Sequence, residues 1–242
     1  MAYNTMGEIR PIPRVATPET KLEIGKRYAR ETASWGCDPF IITRGLRDEL
    51  HLSAGEVAQV LRDGLCLKPA RIAQLLNDPV GLDLTIAQVV GVLRSDDGLG
   101  LDGIRIALVL DDESGFNLTA LSIAQLLRDE LHLTPEQIAR ILRDELNRTV
   151  SHIAVVLYLP DGLNLDHDRV AQALYAHCGL DLMPARIARI LKDDLSLAPE
   201  MIAQILWDNT DLATDGIMRV FREDLGYSAA SAAGYAKSLV KP

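Results

Sequence analysis

One phrase recurs along this chain, and no other feature limits its fold as strictly. LRDELHLSAGEVAQVL begins at Leu46, LRDELHLTPEQIARIL at Leu127 and LKDDLSLAPEMIAQIL at Leu191. Each copy is anchored on the small residue that follows Ile or Val. The anchors are Ala58, Ala73, Ala87, Ala107, Ala124, Ala139, Ala154, Ala171, Ala188, Ala203, Met218 and Ala233. Their intervals are 15, 14, 20, 17, 15, 15, 17, 17, 15, 15 and 15 residues, and Thr43, 15 before Ala58, marks one more copy. Three places after almost every anchor stands a large apolar residue, such as Leu61, Leu127 or Phe221. Self-similarity at a fixed short period is the mark of a repeat architecture.

Each copy reads as one helix. At about 100° per residue, the Ile before the anchor, the anchor itself and the apolar residues at +2, +3 and +7 share a broad face. Positions +1 and +5 fall opposite and hold mostly Gln or Arg, and Asp. Strands would need alternation of period two, which is absent. Proline at the first helical turn costs no hydrogen bond, and Pro69, Pro135, Pro184 and Pro199 mark such starts. Ser53, Asp102, Asp166, Thr214 and Ser228 are candidate N-caps. Two copies make a hairpin of roughly 30–34 residues, the size of a tetratricopeptide-type unit. A lone short amphipathic helix cannot bury its apolar face, so the copies must stack. The predicted fold is an all-α solenoid of about 12–13 short antiparallel helices, each a repeat of 15–17 residues.

The ends differ from the middle. Residues 1–17, with Pro11 and Pro13, read as a tail, and residues 18–35 as a polar N-terminal capping helix. Residues 36–227 are the array, and residues 228–242 keep the helical spacing with Ala in place of large residues, as a C-terminal cap should. The intervals of 20 and 17 between Ala87 and Ala124 predict a local change in superhelix curvature.

The opening HLTPEQIARIL, His132–Leu142, is similar to the first line of a DNA-binding TAL-effector repeat. The likeness is confined to the Thr-Pro-Glu helix start; the interval is shorter and the base-reading loop has no counterpart, so no function follows from it. Charge argues the same way. The net charge is −9, and residues 1–35 carry six Lys/Arg against four Glu, which leaves −11 for the rest. Nucleic-acid affinity rests on basic residues neutralising phosphates, so a nucleic-acid partner is disfavoured. The apolar runs are too short to span a bilayer. The N-terminus lacks a secretory pattern, and Cys37, Cys66 and Cys178 are few and scattered; a cytoplasmic protein with no membrane partner is expected.

Chemistry has to be sought in charges and exceptions. The Arg-Asp step at Arg47, Arg62, Arg128 and Arg143, with Lys192-Asp193, reads as a solvated face with i,i+4 pairs such as Arg140–Asp144 and Arg189–Asp193. At the same +4 position the chain places Tyr158, Tyr175 and Trp207. Aromatic rings at otherwise charged positions suit anchors for a partner, and these three are the candidate partner-binding residues. The acidic loops at Asp96–Asp102, Asp111–Glu113 and Asp161–Asp168 lack the spacing of a Ca²⁺ loop, and no metal or cofactor site is predicted. His51 and His132 share one repeat position, a loop role, and His177-Cys178 has no third partner; no catalytic residues are assigned and no enzyme is expected. The leading functional expectation is a scaffold that binds a protein or peptide, with a self-assembling homo-oligomer or filament as the alternative.

Overall fold

The computed structural model describes residues 20–237 and residue 239, and the tail expected at 1–17 lies outside them. Among the described residues the chain is helical throughout, without strands. The first seven helices are α1 (Lys21–Ser34), α2 (Pro39–Asp48), α3 (Ala54–Leu65), α4 (Pro69–Asn77), α5 (Ile86–Arg94), α6 (Gly103–Asp111) and α7 (Ala120–Asp129). Then come α8 (Pro135–Arg140), prolonged by a π-helical turn at Ile141–Glu145, α9 (Val150–Tyr158), α10 (His167–Tyr175) and α11 (Pro184–Asp193). The last are α12 (Pro199–Asn209), α13 (Thr214–Arg219), prolonged by a π turn at Val220–Asp224, and α14 (Ala229–Lys237).

Local chemistry accounts for where the helices begin. Pro39, Pro69, Pro135, Pro184 and Pro199 each stand in the first turn. Ser53, Thr85 and Thr134 close reciprocal capping boxes with Glu56, Gln88 and Gln137. Asp102 and Asp166 cap α6 and α10, while α13 is capped at Ala213, so Thr214 is its first residue rather than its cap.

The helices end in a recurrent turn. The middle residue of the Leu-x-Leu steps between helices, and of Phe116–Leu118, lies in the left-handed region: His51, Cys66, Asp83, Gly100, Asn117, His132, Asn164, Asp181 and Ser196 all have positive φ. His, Asn, Asp and Gly tolerate that region best. The second Leu then returns its N–H to the carbonyl of the large apolar residue at +3, as Leu67 does to Leu61 at 3.2 Å and Leu133 to Leu127 at 3.1 Å. This is why His51 and His132 recur at one position: they are turn residues.

The same hydrogen bond corrects the register of the fifth copy. Leu101 donates to Leu93, which places the anchor three residues earlier, at Val90 and not at Ala87. Val90 is fully buried, whereas Ala87 is only half-buried. With Val90 in place the intervals from Ala58 to Met218 become 15, 17, 17, 17, 15, 15, 17, 17, 15 and 15. The interval of 20 and the curvature change inferred from it disappear. Two loop lengths remain.

The longer loop contains a tight turn and a glycine. Gly81, Gly98, Gly115, Gly162 and Gly179 each donate to the carbonyl three residues back, at 2.8–2.9 Å. A Cβ at Gly81 would sit 1.8 Å from the Leu75 carbonyl oxygen, and one at Gly162 2.0 Å from that of Val156. No side chain fits there. The acidic stretches of the sequence are these turns; Asp112, for one, accepts from the backbone and hydroxyl of Ser114. Among the described residues no group of three or more His, Cys, Asp or Glu converges as a metal ion would require.

Packing follows the chain. Consecutive helices touch, and so do helices two apart: α2, α4, α6, α8, α10, α12 and α14 form one unbroken row. On the other side α1 packs on α3, α3 on α5, α7 on α9, and α11 on the π turn that prolongs α13. The core is a continuous strip of Leu, Ile, Val and Ala between the two sides, and the anchors Ala58, Ala73, Ala107, Ala124 and Ala139 are wholly buried in it. Small anchors let neighbouring backbones approach closely. Thr43, the anchor of α2, is the one buried polar residue among those described, and its hydroxyl is satisfied by the Pro39 carbonyl at 2.7 Å. No described helix is long and apolar enough to cross a membrane.

Candidate partner-binding surface

The repeated charges serve the stack first. At +4, Arg47, Arg128 and Arg143 reach the loop two helices on and donate to the carbonyls of Leu82, Leu163 and Leu180 at 3.3, 3.2 and 2.7 Å. Lys192 does the same to Leu225 at 3.0 Å. The Asp that follows each Arg holds its Nε, at 2.7 Å for Arg128–Asp129 and 2.6 Å for Arg143–Asp144. These bonds lower the Asp48, Asp63, Asp129 and Asp144 carboxyls below their ordinary range. Asp144 is bonded by the adjacent Arg143 and also feels the charge of Arg140 one turn earlier, whereas Arg189 crosses to Asp224 at 3.1 Å rather than to Asp193. An Arg fork that spans to the next layer must lie along the helix end, where the adjacent Asp, not one a turn away, meets it.

Glutamine at +1 makes a second brace. Gln74 donates to the Gly115 carbonyl at 3.1 Å, Gln125 to that of Asp161 at 2.8 Å, and Gln172 to the Asn209 side chain at 2.9 Å. A face expected to be merely solvated is thus largely tied across to its neighbour.

The three aromatic residues lie in this bracing zone. Tyr158, Tyr175 and Trp207 are all half-buried against the core. Tyr175 donates its hydroxyl to Asp211 at 2.8 Å, across the same span as the arginine braces, and that bond raises its pKa. Tyr158 stacks on His167 with ring centroids 4.9 Å apart. Among the described residues no ring contact joins the three to one another. Tyr158 and Tyr175 precede long loops, where +4 also holds Asn77, Arg94 and Asp111, so they belong to a variable position of that loop class. Trp207, before a short loop, is the true departure. The loop after α12 lacks the left-handed turn, and Thr210 is extended at φ −132°.

A different part of the surface is left open. On α6, Ile104 and Leu108 are exposed, 41% and 43% accessible, one turn apart. Leu108 stands at +1, where Gln74 and Gln172 make their cross-braces on α4 and α10, and it has no polar group to make one. Ile104 stands where α8, α10 and α12 carry Glu136, Asp168 and Glu200. Between the start of α6 and the π turn of α8 runs a groove of about 470 Å³, with Ile104, Leu133 and Ile141 on its apolar walls and Gln137 and Arg140 on its rim. The repeat pattern did not single out these residues. For Leu108 the signal was an aliphatic residue at a position where most copies hold Gln or Arg, a departure shared by Val155 on α9. A second groove, by Met183 and Arg186, is spanned by the Arg189–Asp224 pair.

Comparison with known protein families, curated proteins and solved structures gives no match.

Proposed function

We propose that this chain is an α-solenoid that acts as a non-enzymatic scaffold, holding a segment of a partner protein on the solvent side of α6 and α8. The continuous row of even-numbered helices and the tandem sequence support the solenoid. The observation that carries the function is the pair Ile104 and Leu108, exposed beside an apolar groove at positions where α8, α10 and α12 carry an acidic residue and Arg or Gln. Exposed aliphatics gathered at a groove, unlike scattered ones, mark contact sites.

Two measurements test this reading. Solution scattering should give a radius of gyration well above the about 18 Å of a compact domain of 242 residues; a value near 18 Å sinks the solenoid. Panning of a random peptide library on the intact chain should yield binders that Leu108→Glu abolishes. If no peptide is retained, the scaffold reading fails. Tyr158, Tyr175 and Trp207 are proposed as a supporting surface rather than the anchor, because each of the tyrosines has an intramolecular contact to lose. Binding that vanishes when all three become Arg, with α6 intact, would reverse that assignment.

A further inference from the structure

In this stack the residue at +1 reaches the end of the helix two places on. Arg189 pairs with Asp224 at 3.1 Å, Gln172 donates to Asn209 at 2.9 Å, and Gln59 donates to the Asp96 carbonyl at 3.5 Å. Each of these acceptors stands at +6 from its own anchor, Asp96 from the corrected anchor Val90. At the same two positions α6 and α8 hold Leu108 and Glu145. An aliphatic side chain stands in the register from which Glu145 would receive its partner.

Glu145 is left unserved as a result. It is half-buried, it lines the α6–α8 groove at the π turn, and among the described residues it enters no hydrogen bond or ion pair. The other two carboxylates of the groove are engaged. Asp102 caps α6 by accepting the N–H of Arg105 at 2.8 Å, and Asp144 is held by Arg143 at 2.6 Å and feels the charge of Arg140. Against these three carboxylates the described lining sets one arginine, Arg140, so the groove is acidic. Its surroundings are acidic too: residues 102–113 and 130–148 carry eight acidic side chains and four basic ones. On α9, Val155 also stands at +1, with Asp194 at +6 of α11, but Asp194 is exposed and shares its groove with Arg186 and Arg189.

Resting on the scaffold reading above, we infer that the occupant is a basic, aliphatic peptide segment, its Arg or Lys on Glu145 and its Leu or Ile against Ile104, Leu133 and Ile141. A carboxylate partly withdrawn from water without a partner favours a cation brought to it. The occupant supplies from outside the bond that Arg189 makes to Asp224 from within the chain. Arg140 and Arg143 already serve Asp144, which directs the incoming cation to Glu145. An Arg fork meets a carboxylate bidentately, and such a pair beside an apolar contact fixes the register of the segment. An acidic segment or a nucleic acid would be repelled by the same carboxylates.

The test is the composition of peptides bound by the full chain in a random peptide array, read for the native protein, Glu145→Gln and Glu145→Lys. Peptides bound by the native chain are expected to be enriched in Arg or Lys together with Leu or Ile, and to weaken as salt rises. Glu145→Gln, which keeps the shape and removes the charge, should lower their signal about tenfold. Glu145→Lys should abolish the preference for basic residues while aliphatic ones stay enriched. Circular dichroism of both variants should match the native chain, since Glu145 has no bond within it to lose. Bound peptides that are acidic or neutral, or basic ones that bind Glu145→Gln equally, overturn this inference and leave the scaffold standing. A dimer seen by light scattering, whose formation excludes the peptides, makes a second copy the occupant and overturns it too. If no peptide binds at all, the scaffold reading itself falls.

Discussion

The pairs α6–α8 and α10–α12 are built from equivalent sequence positions, yet one is tied across by Asp111 and Arg148 and the other by three side-chain bonds. On α10, Gln172 at +1 bonds the last residue of α12, Asn209, Tyr175 at +4 bonds Asp211 just beyond it, and Asn209 returns a bond to Asp168. On α6 the +1 residue is Leu108, which cannot bond, and the tie across to α8 comes from +4 alone, where Asp111 accepts from Arg148 just after the π turn. A difference of one side chain per turn decides whether neighbouring helices are laced together or leave an apolar groove. On the proposed reading, the contact surface lies where lacing is thinnest, not where the sequence looks most decorated.

The comparison can be broken from the loops inward. Gly162 precedes α10, and a Cβ there would collide with the Val156 carbonyl. Gly162→Ala should cost about 2–3 kcal/mol by denaturant unfolding. Gly91→Ala, at a helical position with nothing within 4 Å, should instead stabilise by about 0.5–1 kcal/mol. Opposite signs are required; two losses of equal size would mean the long-loop glycines are not held by close approach.

Next in size is the lacing. Tyr175→Phe removes the bond to Asp211 and should cost about 1 kcal/mol. Hydrogen exchange should quicken around Asn209–Leu212 in that variant, while α6 is unaffected. Leu108→Gln, which restores the residue found at +1 elsewhere, should shift stability by less than about 0.5 kcal/mol but sharply reduce peptide retention. If it unfolds the chain, Leu108 is core and not contact surface.

The smallest effect is the acid response. Arg47, Arg62, Arg128 and Arg143 hold their neighbouring carboxyls below the usual range. Groups depressed in the folded state stabilise above their unfolded pKa and lose that contribution as pH falls through the folded one. The melting temperature should be flat from neutral pH down to about 5 and decline below about 4. Asp129→Asn should shave only a small part of that decline, because these pairs are half exposed to water.

Much of this was legible in the sequence, for physical reasons. Helix starts at Pro69, Pro135, Pro184 and Pro199 and caps at Ser53, Asp102 and Asp166 are local rules, and the helices begin there. The register of α5 was misread because Ala87 looks like an anchor and Val90 does not. The turn hydrogen bond from Leu101 to Leu93, which depends on a left-handed Gly100, and the burial of Val90 discriminate, and both are properties of the folded chain. The arginine braces were beyond reach too, since a bond from Arg128 to a carbonyl 35 residues away is a property of stacking. Reading Tyr158 and Tyr175 as exceptions assumed one loop class where there are two.

The most direct measurement is hydrogen exchange of the full chain with and without a peptide selected on it. Slowed exchange confined to Gly103–Asp111 and Pro135–Glu145, with α10 to α12 unchanged, is the predicted footprint. Protection centred on α12 and the segment after it, with α6 untouched, would contradict the account.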